Sequence, residues 1–288
     1  MDNVLNFLKL DRNKILTILK REEEIRFSQE YVTKCSEVSH IPNAWLEVTN
    51  NMQEELVKEF GYIDELSNTL AVNVIRKALH IYPNDEEIKN SVVQFRENIA
   101  SEGKYKVGDI LKDISLHNLD NSKVDLFQIF DMNKCNIMLV GSHTWQPFRG
   151  YINLLQEFYS QNKERLNIFI VYISEAHAQD VWPLGESAGT INYSHKKIED
   201  RIQCANKFRD TFNLTIPIYC DNINNKLRDE YSCWPFRYFV IQNNKFTFIG
   251  HPENSTFEFD YLMTLWSDFD KIKLFLYNWY IKSLNILK

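Results

Sequence analysis

The sequence has few of the features that mark several large functional classes. It contains no CxxC pair, no basic stripe and no apolar run close to the roughly 18 residues that cross a bilayer. The net charge of -6 without clustered basic residues argues against nucleic-acid binding. An odd number of cysteines without zinc-ligand spacing argues against a disulfide framework: Cys35, Cys135, Cys204, Cys220 and Cys233. We therefore expect a protein of the reducing cytoplasm that binds neither nucleic acid nor membrane.

The composition is that of a folded protein. The chain has 288 residues, 44% of them hydrophobic and 25% charged, which is enough for about two domains. Residues 1–103 have little strand pattern and place apolar side chains at helical spacing, for example Ile63, Leu66, Leu70 and Val74. The turn at residues 82–87 ends one helix and caps the next with Asn84 or Asp85. We expect this helical region to pack on the rest of the chain or to mediate self-association as a homodimer.

Residues 104–288 alternate strand and helix patterns. A fully buried strand at 136–140 runs into a turn at 141–148, where Pro147 begins an amphipathic helix. Strands are predicted at 166–174, 215–219, 237–242 and 245–250, and helices at 194–212, 222–230 and 257–287. The predicted fold is therefore α/β: a thioredoxin-like mixed sheet flanked by helices, with a long C-terminal helix and a preceding α-helical N-terminal region.

The turn after the first buried strand is the expected place for chemistry. Unsatisfied N–H groups and the dipole at a helix N-terminus favour an anionic nucleophile, such as a low-pKa thiolate or selenolate. In thioredoxin-like folds a cis-proline faces this turn, and the context of Pro235 predicts that role. The turn itself holds no thiol or selenol, because it reads Gly141-Ser142-His143-Thr144-Trp145-Gln146-Pro147-Phe148.

Further segments accompany this turn: Tyr172-Ile173-Ser174-Glu175-Ala176-His177, Asp180, Trp182, His195, Glu199-Asp200-Arg201 and Pro235-Phe236-Arg237. Together they resemble the iodothyronine deiodinases and their soluble microbial relatives over about residues 104–250. The resemblance implies reductive deiodination, in which a selenolate attacks iodine on an iodophenol ring and an external thiol regenerates the enzyme. It implies no other cofactor. The implied partners are that thiol and a small aromatic ligand, which is iodinated in the family reaction.

The resemblance places the nucleophile at Trp145. An indole offers one N–H donor and no useful acid–base pKa, so the sequence as written lacks the catalytic chalcogen. One explanation is that Trp145 is a misread selenocysteine, since UGA is read as tryptophan under some genetic codes. The other is a real loss that leaves a binding module. Departures from the family pattern at His143, Gln146, Val181 and Phe236 favour the loss.

The resemblance also assigns roles to other residues. Three correspond to catalytic positions that bind the substrate and handle its protons: Glu175, His177 and His195. Four correspond to substrate-binding positions: Trp182, Arg201, Pro235 and Arg237. These roles are expectations that rest on the resemblance alone.

Each of these positions also has a more ordinary interpretation. Glu175 and His177 lie two apart at a strand end and can point the same way, but such pairs are more often solvated loop residues. Without the resemblance, His195 would be interpreted as a surface histidine in the first turn of a helix. Arg237 fits a substrate carboxylate or a neighbouring acid such as Asp221.

Two other chemistries are weighed from the sequence. Cys233 lies two residues before Pro235 and is a candidate redox thiol, although buried packing is the commoner role of such a cysteine. No metal site is assigned, because Glu175, His177 and Asp180 share one loop without a further histidine or cysteine. Three hypotheses therefore remain: a deiodinase-type oxidoreductase, a catalytically silent binding module, and a thiol redox protein that uses Cys233.

Overall fold

The structure is a computed structural model that describes residues 1–250. Residues Met1–Ile249 form one compact unit. The helix predicted at 257–287 lies outside the described residues. Among the helices of residues 1–250, none combines the length and apolar character that a membrane crossing requires.

The N-terminal part is helical, as the apolar spacing predicts. Its helices are α1 (Asp2–Leu8), α2 (Arg12–Arg26), α3 (Gln29–Glu37), α4 (Trp45–Glu59), α5 (Glu65–Arg76), α6 (Ala78–Ile81), α7 (Glu86–Ser91) and α8 (Val93–Glu97). Asp85 is the N-cap of α7, and its carboxylate accepts hydrogen bonds from two N–H groups of the first turn. The helix expected to reach about residue 100 instead breaks at Val92, whose backbone is extended.

These helices bury an apolar core of their own. Ile15 and Ile18 of α2, Leu56 of α4 and Ile75 of α5 are all at most 1% exposed. Such side chains recur every three or four residues, so each helix presents one apolar face to its neighbours. The helical region is therefore held together by hydrophobic packing rather than by its surface ion pairs.

The second part is a seven-stranded mixed sheet with helices. Its strands are β1 (Ser115–His117), β2 (Lys123–Asp125), β3 (Cys135–Gly141), β4 (Leu166–Tyr172), β5 (Ile218–Cys220), β6 (Arg237–Gln242) and β7 (Lys245–Ile249). Its helices are α9 (Leu126–Ile129), α10 (Gln146–Asn162), α11 (Ile198–Thr211) and α12 (Lys226–Glu230), with a 3₁₀ turn at Gly185–Ala188. The strand order is β2-β1-β5-β4-β3-β6-β7.

The central strands set the position of the site. β3 pairs in parallel with β4, which pairs in parallel with β5, while β6 is antiparallel to β3. Residues 136–141 of β3 are all buried, as expected of a central strand with apolar side chains on both of its faces. The carboxyl ends of β3 and β4 lie side by side, with Gly141 opposite Tyr172. This is a thioredoxin-like fold, as predicted, and the turns that follow these two strands meet.

Several details differ from the predictions. The hairpin β1–β2 was not predicted, and β1 extends the sheet by pairing with β5. α11 begins at Ile198, so His195 lies in the preceding loop and not in the helix. The predicted hairpin between β6 and β7 is confirmed, with positive φ at Asn243 and Asn244 as a tight turn requires. The Trp234–Pro235 bond is cis, as predicted.

Candidate functional site

The turn after β3 presents position 145 at the N-terminus of α10. β3 ends at Gly141, where an added Cβ would lie 2.8 Å from the Phe148 ring, so only glycine lets α10 pack this close. Trp145 is the N-cap residue and its side chain makes no capping hydrogen bond. This end of a 17-residue helix favours an anion, but the half-buried indole of Trp145 supplies no anionic atom.

A buried carboxylate joins this turn to the end of β4. One oxygen of Glu175 accepts hydrogen bonds from the backbone N–H and hydroxyl of Thr144, at 3.1 and 2.6 Å. The other accepts from the hydroxyl of Tyr172 and, at 2.8 Å, from the amide of Asn192. The Tyr172 hydroxyl in turn accepts from the backbone N–H of His143. Four donors therefore offset the cost of burying this charge.

This geometry contradicts the interpretation of Glu175 and His177 as a solvated loop pair. The two residues are only 8% and 6% exposed. The backbone N–H of His177 donates to the Thr144 hydroxyl at 3.1 Å, so the turn after β3 also fixes the segment that carries the imidazole. Both side chains thus belong to the protein interior beside position 145.

The imidazole of His177 is enclosed by three tryptophan rings. Trp145 stacks on it with ring centroids 5.8 Å apart, Trp182 meets it edge-on at 4.8 Å, and Trp45 lies 6.0 Å away. We call these four rings the aromatic box. Burial is the main reason that the pKa of His177 is lowered to about 3, so its ring is neutral at physiological pH.

Two polar atoms of the aromatic box have no hydrogen-bond partner within residues 1–250. They are Nδ1 of His177 and Nε1 of Trp182, both buried. An unpartnered buried polar atom costs free energy, and its retention calls for an explanation such as a ligand or water. The indole N–H can only donate a hydrogen bond, whereas the unpartnered imidazole nitrogen accepts or donates according to tautomer. Together they suit a hydroxyl group.

His195 lies near Oε1 of Glu175, the oxygen that does not bond to Thr144. The Nε–H of Arg201 donates to its Nδ1 at 3.1 Å, so the proton of the neutral imidazole is on Nε2. That atom is 3.8 Å from Glu175 Oε1 and lacks a hydrogen-bond partner in the described part of the chain. Burial, with a smaller effect of the Arg201 charge, lowers the pKa of His195 to about 3. The two groups are therefore not an ion pair.

Within residues 1–250, one group of side chains has metal-ligand chemistry. A carboxylate oxygen of Glu175, a ring nitrogen of His195 and Sγ of Cys204 lie within 4.8 Å of one another. A metal on Nε2 of His195 would require the ring's proton to be on Nδ1, where the Arg201 donor already points. Both Glu175 oxygens also accept two hydrogen bonds each. This donor set is therefore unsuited to a metal.

The two candidate arginines are committed to backbone carbonyls. Arg201 donates to the carbonyl oxygens of Asp221 and Asn222 and to the side chain of Asn225. Arg237 donates to the carbonyl oxygens of Ser101, Glu102 and Tyr231 and not to Asp221 as anticipated. It thereby ties the linker between α8 and β1, residues 98–114, to β6. These N–H groups therefore already have partners within the protein. The substrate-binding roles of Arg201 and Arg237 stay predictions.

Cys233 and Asp180 are both held by contacts with neighbouring residues. The Cys233 side chain is fully buried, and its Sγ lies 3.6 to 3.7 Å from the carbonyl oxygens of Leu227 and Arg228. Burial raises the pKa of this thiol well above its usual value, which disfavours the reactive thiolate. Asp180 accepts hydrogen bonds from the backbone N–H and the hydroxyl of Ser194. It is not part of the group that Glu175 forms with His195 and Cys204.

The segment after Trp182 is held from two sides. Arg149 of α10 donates to the carbonyl oxygens of Ser187 and Ala188, and Gly189 leaves room for its guanidinium, which an added Cβ would approach to 2.3 Å. From the other side, helix α3 of the N-terminal region contacts the 3₁₀ turn. The loop that carries one wall of the aromatic box is thereby fixed.

Sequence reasoning missed several of these residues. Thr144 and Tyr172 lie inside the quoted motifs, but no role was assigned to their hydroxyl groups. Asn192 and Trp45 carry no sequence signal, since one lies in an irregular loop and the other begins a helix of the N-terminal region. Only alignment with homologues would have marked such positions before the fold was known.

Curated proteins with similar sequences include deiodinases. The chain is 25% identical over 114 residues to the type I iodothyronine deiodinase of Xenopus laevis, covering 40% of this chain and 44% of that protein. It is 27% identical over 138 residues to the thyroxine 5-deiodinase of Gallus gallus, covering 48% and 52%. The chain thus spans about half the length of the curated relatives it matches.

Solved structures have a similar but distant fold. A peroxiredoxin-like protein from Aquifex aeolicus superposes with a TM-score of 0.41 and 11% sequence identity, covering 59% of this chain and 90% of that one. The family model for iodothyronine deiodinase matches residues 87–267. Because this match covers more than half of the chain, the protein belongs to the iodothyronine deiodinase family.

Proposed function

We propose that this chain has a deiodinase-type site that binds a halogenated, hydroxyl-bearing aromatic ring, and that residue 145 decides whether the ring is also dehalogenated. The observation that carries the proposal is the buried network of Glu175 directly beside position 145, together with the unpartnered nitrogens of His177 and Trp182. Glu175, His177 and Trp182 lie around position 145, where the family nucleophile would be and where this chain has an indole.

With tryptophan at position 145, the protein binds the ring without dehalogenating it. The hydroxyl group of a phenol donates to Nδ1 of neutral His177 and accepts from Nε1–H of Trp182, which gives both buried atoms the partner they lack within residues 1–250. The aromatic rings of the box supply the apolar surface that such a ligand buries.

With selenocysteine at position 145, the same site would carry out reductive deiodination. The selenolate takes iodine from the ring, the carbon–iodine bond breaks, and the ring carbon takes a proton, which leaves a selenium–iodine bond. Two external thiols then reduce that bond, releasing iodide and a disulfide and restoring the selenolate. The sum is aryl iodide plus two thiols giving arene, disulfide and hydrogen iodide. No resident cofactor is needed, and a reducing cytoplasm would supply the thiol.

The names of the relatives support the ligand class. Type I iodothyronine deiodinase and thyroxine 5-deiodinase are both named for iodinated phenolic compounds. The use of Cys233 as a redox thiol is not favoured, because its side chain is buried and its pKa is raised. If Cys233 were alkylated at neutral pH well ahead of the other cysteines, that alternative would be favoured again.

The first experiment determines the codon for position 145 and the mass of the protein from its natural source. UGA with a selenium isotope pattern predicts thiol-dependent release of iodide from 2-iodophenol. A tryptophan mass predicts binding of 2-iodophenol without iodide release, measured by calorimetry.

A matched pair of variants tests the site itself. His177→Ala should abolish 2-iodophenol binding, whereas His40→Ala, at an exposed histidine of the helical region, should leave it unchanged. Equal binding by both variants would refute the proposed site, and so would absence of binding by the unaltered protein.

A further inference from the structure

The helical region contributes a ring to the aromatic box. Trp45 is the first residue of α4, and its indole is tilted by 58° against the imidazole of His177. The residue is only half-buried and does not belong to the apolar core of the helical region. Its contact with His177 therefore joins a helix of the N-terminal part to the site at the end of β4.

The helical region is positioned there by specific contacts. The backbone N–H of Glu186 donates to the hydroxyl of Ser36 at 3.0 Å, and the hydroxyl of Ser187 donates to the carbonyl oxygen of Cys35 at 2.5 Å. An added Cβ on Gly185 would lie 2.1 Å from the Ser36 hydroxyl oxygen, so the turn and α3 are as close as a glycine allows. The same turn follows Trp182, which forms another wall of the box.

We propose that the helical region is part of the ligand site, with Trp45 as the wall that selects flat aromatic rings. This inference rests on the proposed function, because it names a further determinant of the same site. An indole presents a π face and edge that pack favourably on another aromatic ring and less favourably on a saturated ring of similar size. Trp45 thereby discriminates between ligands that share the hydroxyl and the iodine.

Two probes isolate this effect: 2-iodophenol and trans-2-iodocyclohexanol. They carry the same substituents and differ in the aromatic character of the ring. The variants are Trp45→Ala, Trp45→Leu and Trp45→Phe, with Leu46→Ala as control, since Leu46 is the next residue of α4 and is 46% exposed. Calorimetry gives the affinity of each probe, and circular dichroism verifies the folding of each variant.

The expected result is a selective loss. Trp45→Ala and Trp45→Leu should weaken 2-iodophenol binding about tenfold and bring it close to that of trans-2-iodocyclohexanol. Trp45→Phe should retain the preference for the aromatic probe, and Leu46→Ala should behave like the unaltered protein.

Each other outcome overturns one idea. If the unaltered protein binds neither probe, the proposed function fails before Trp45 is tested. If the unaltered protein binds 2-iodophenol and the Trp45 variants bind it within twofold, the site stands and the role of Trp45 is refuted. Should Trp45→Ala fail to fold, the comparison of Trp45→Leu with Trp45→Phe decides the question.

Discussion

Replacing Trp145 by cysteine tests whether position 145 is built to hold an anionic nucleophile. The N-terminal end of a helix stabilises an anion by about 0.3 to 1 kcal/mol at exposed positions and by up to about 2 kcal/mol in partly buried ones. One pKa unit corresponds to about 1.4 kcal/mol, and the nearby Glu175 carboxylate acts against a second negative charge. We therefore expect the pKa of the introduced thiol to lie roughly one unit below the usual value of about 8.5.

The native thiols give this experiment a low background. Burial raises the pKa of all five: Cys35, Cys135, Cys204, Cys220 and Cys233. For Cys204 and Cys220 the pKa rises to about 12. Iodoacetamide near pH 7.5 should therefore modify the unaltered protein slowly and Trp145→Cys quickly. Mass spectrometry of the modified peptide identifies the reacting thiol, and its rate against pH gives the pKa.

Ser160→Cys is the matched control. Ser160 is exposed and lies near the other end of the same helix, where the dipole disfavours a thiolate. The pKa of that thiol should exceed the one at position 145 by roughly one to two units. Equal pKa values in the two variants, or a value at position 145 above about 8.5, would refute the conclusion that this turn is organised for an anion.

Three further predictions concern the scaffold. Burial lowers the pKa of three histidines, His143 among them, to about 3, so the unfolded chain binds more protons below about pH 6.5 and the free energy of unfolding falls as pH drops from there. His143→Phe should reduce the loss of unfolding free energy between pH 7 and 5 by about 2 kcal/mol, and urea titrations over that range showing an unchanged pH dependence would contradict it. Gly185→Ala forces a Cβ against α3 and should cost about 1 to 3 kcal/mol and weaken 2-iodophenol binding. An added Cβ on Gly150 meets open space, so Gly150→Ala should not lower the free energy of unfolding. Equal melting temperatures of the Gly185→Ala and Gly150→Ala variants would contradict the close contact between Gly185 and α3. Glu175→Gln should lose two charge-assisted hydrogen bonds and about 3 kcal/mol, lowering the melting temperature by about 10 °C, whereas exposed Glu164→Gln should match the unaltered protein.

Local patterns in the sequence predicted much of the architecture. Pro147 at the start of α10, the Asp85 cap and the Asn243-Asn244 turn are short-range features, and each is found where it was expected. The buried strand β3 followed by a helix located the turn that holds position 145. The short strands β1 and β2 were missed, because three residues are too few to establish an alternating pattern.

The site residues were predicted as individual positions but not as an arrangement. The sequence singled out Glu175 and His177, and only the fold revealed that both are buried. It also revealed that Arg237 is bound to backbone carbonyls of the linker. Hydrogen-bond partners such as these depend on which elements pack together, and the spacing of residues along the chain does not contain that information.

The amino-acid sequence by itself determined the helical and α/β parts, the family resemblance and the absence of a chalcogen at position 145. Only the tertiary structure decided that Thr144, Tyr172 and Asn192 together supply four donors to Glu175 and that Trp45 of the helical region meets His177. The physical reason is that local patterns follow from the geometry of one helix or strand. A site assembled from distant segments follows from the packing of whole elements against one another, which is settled only when the core forms.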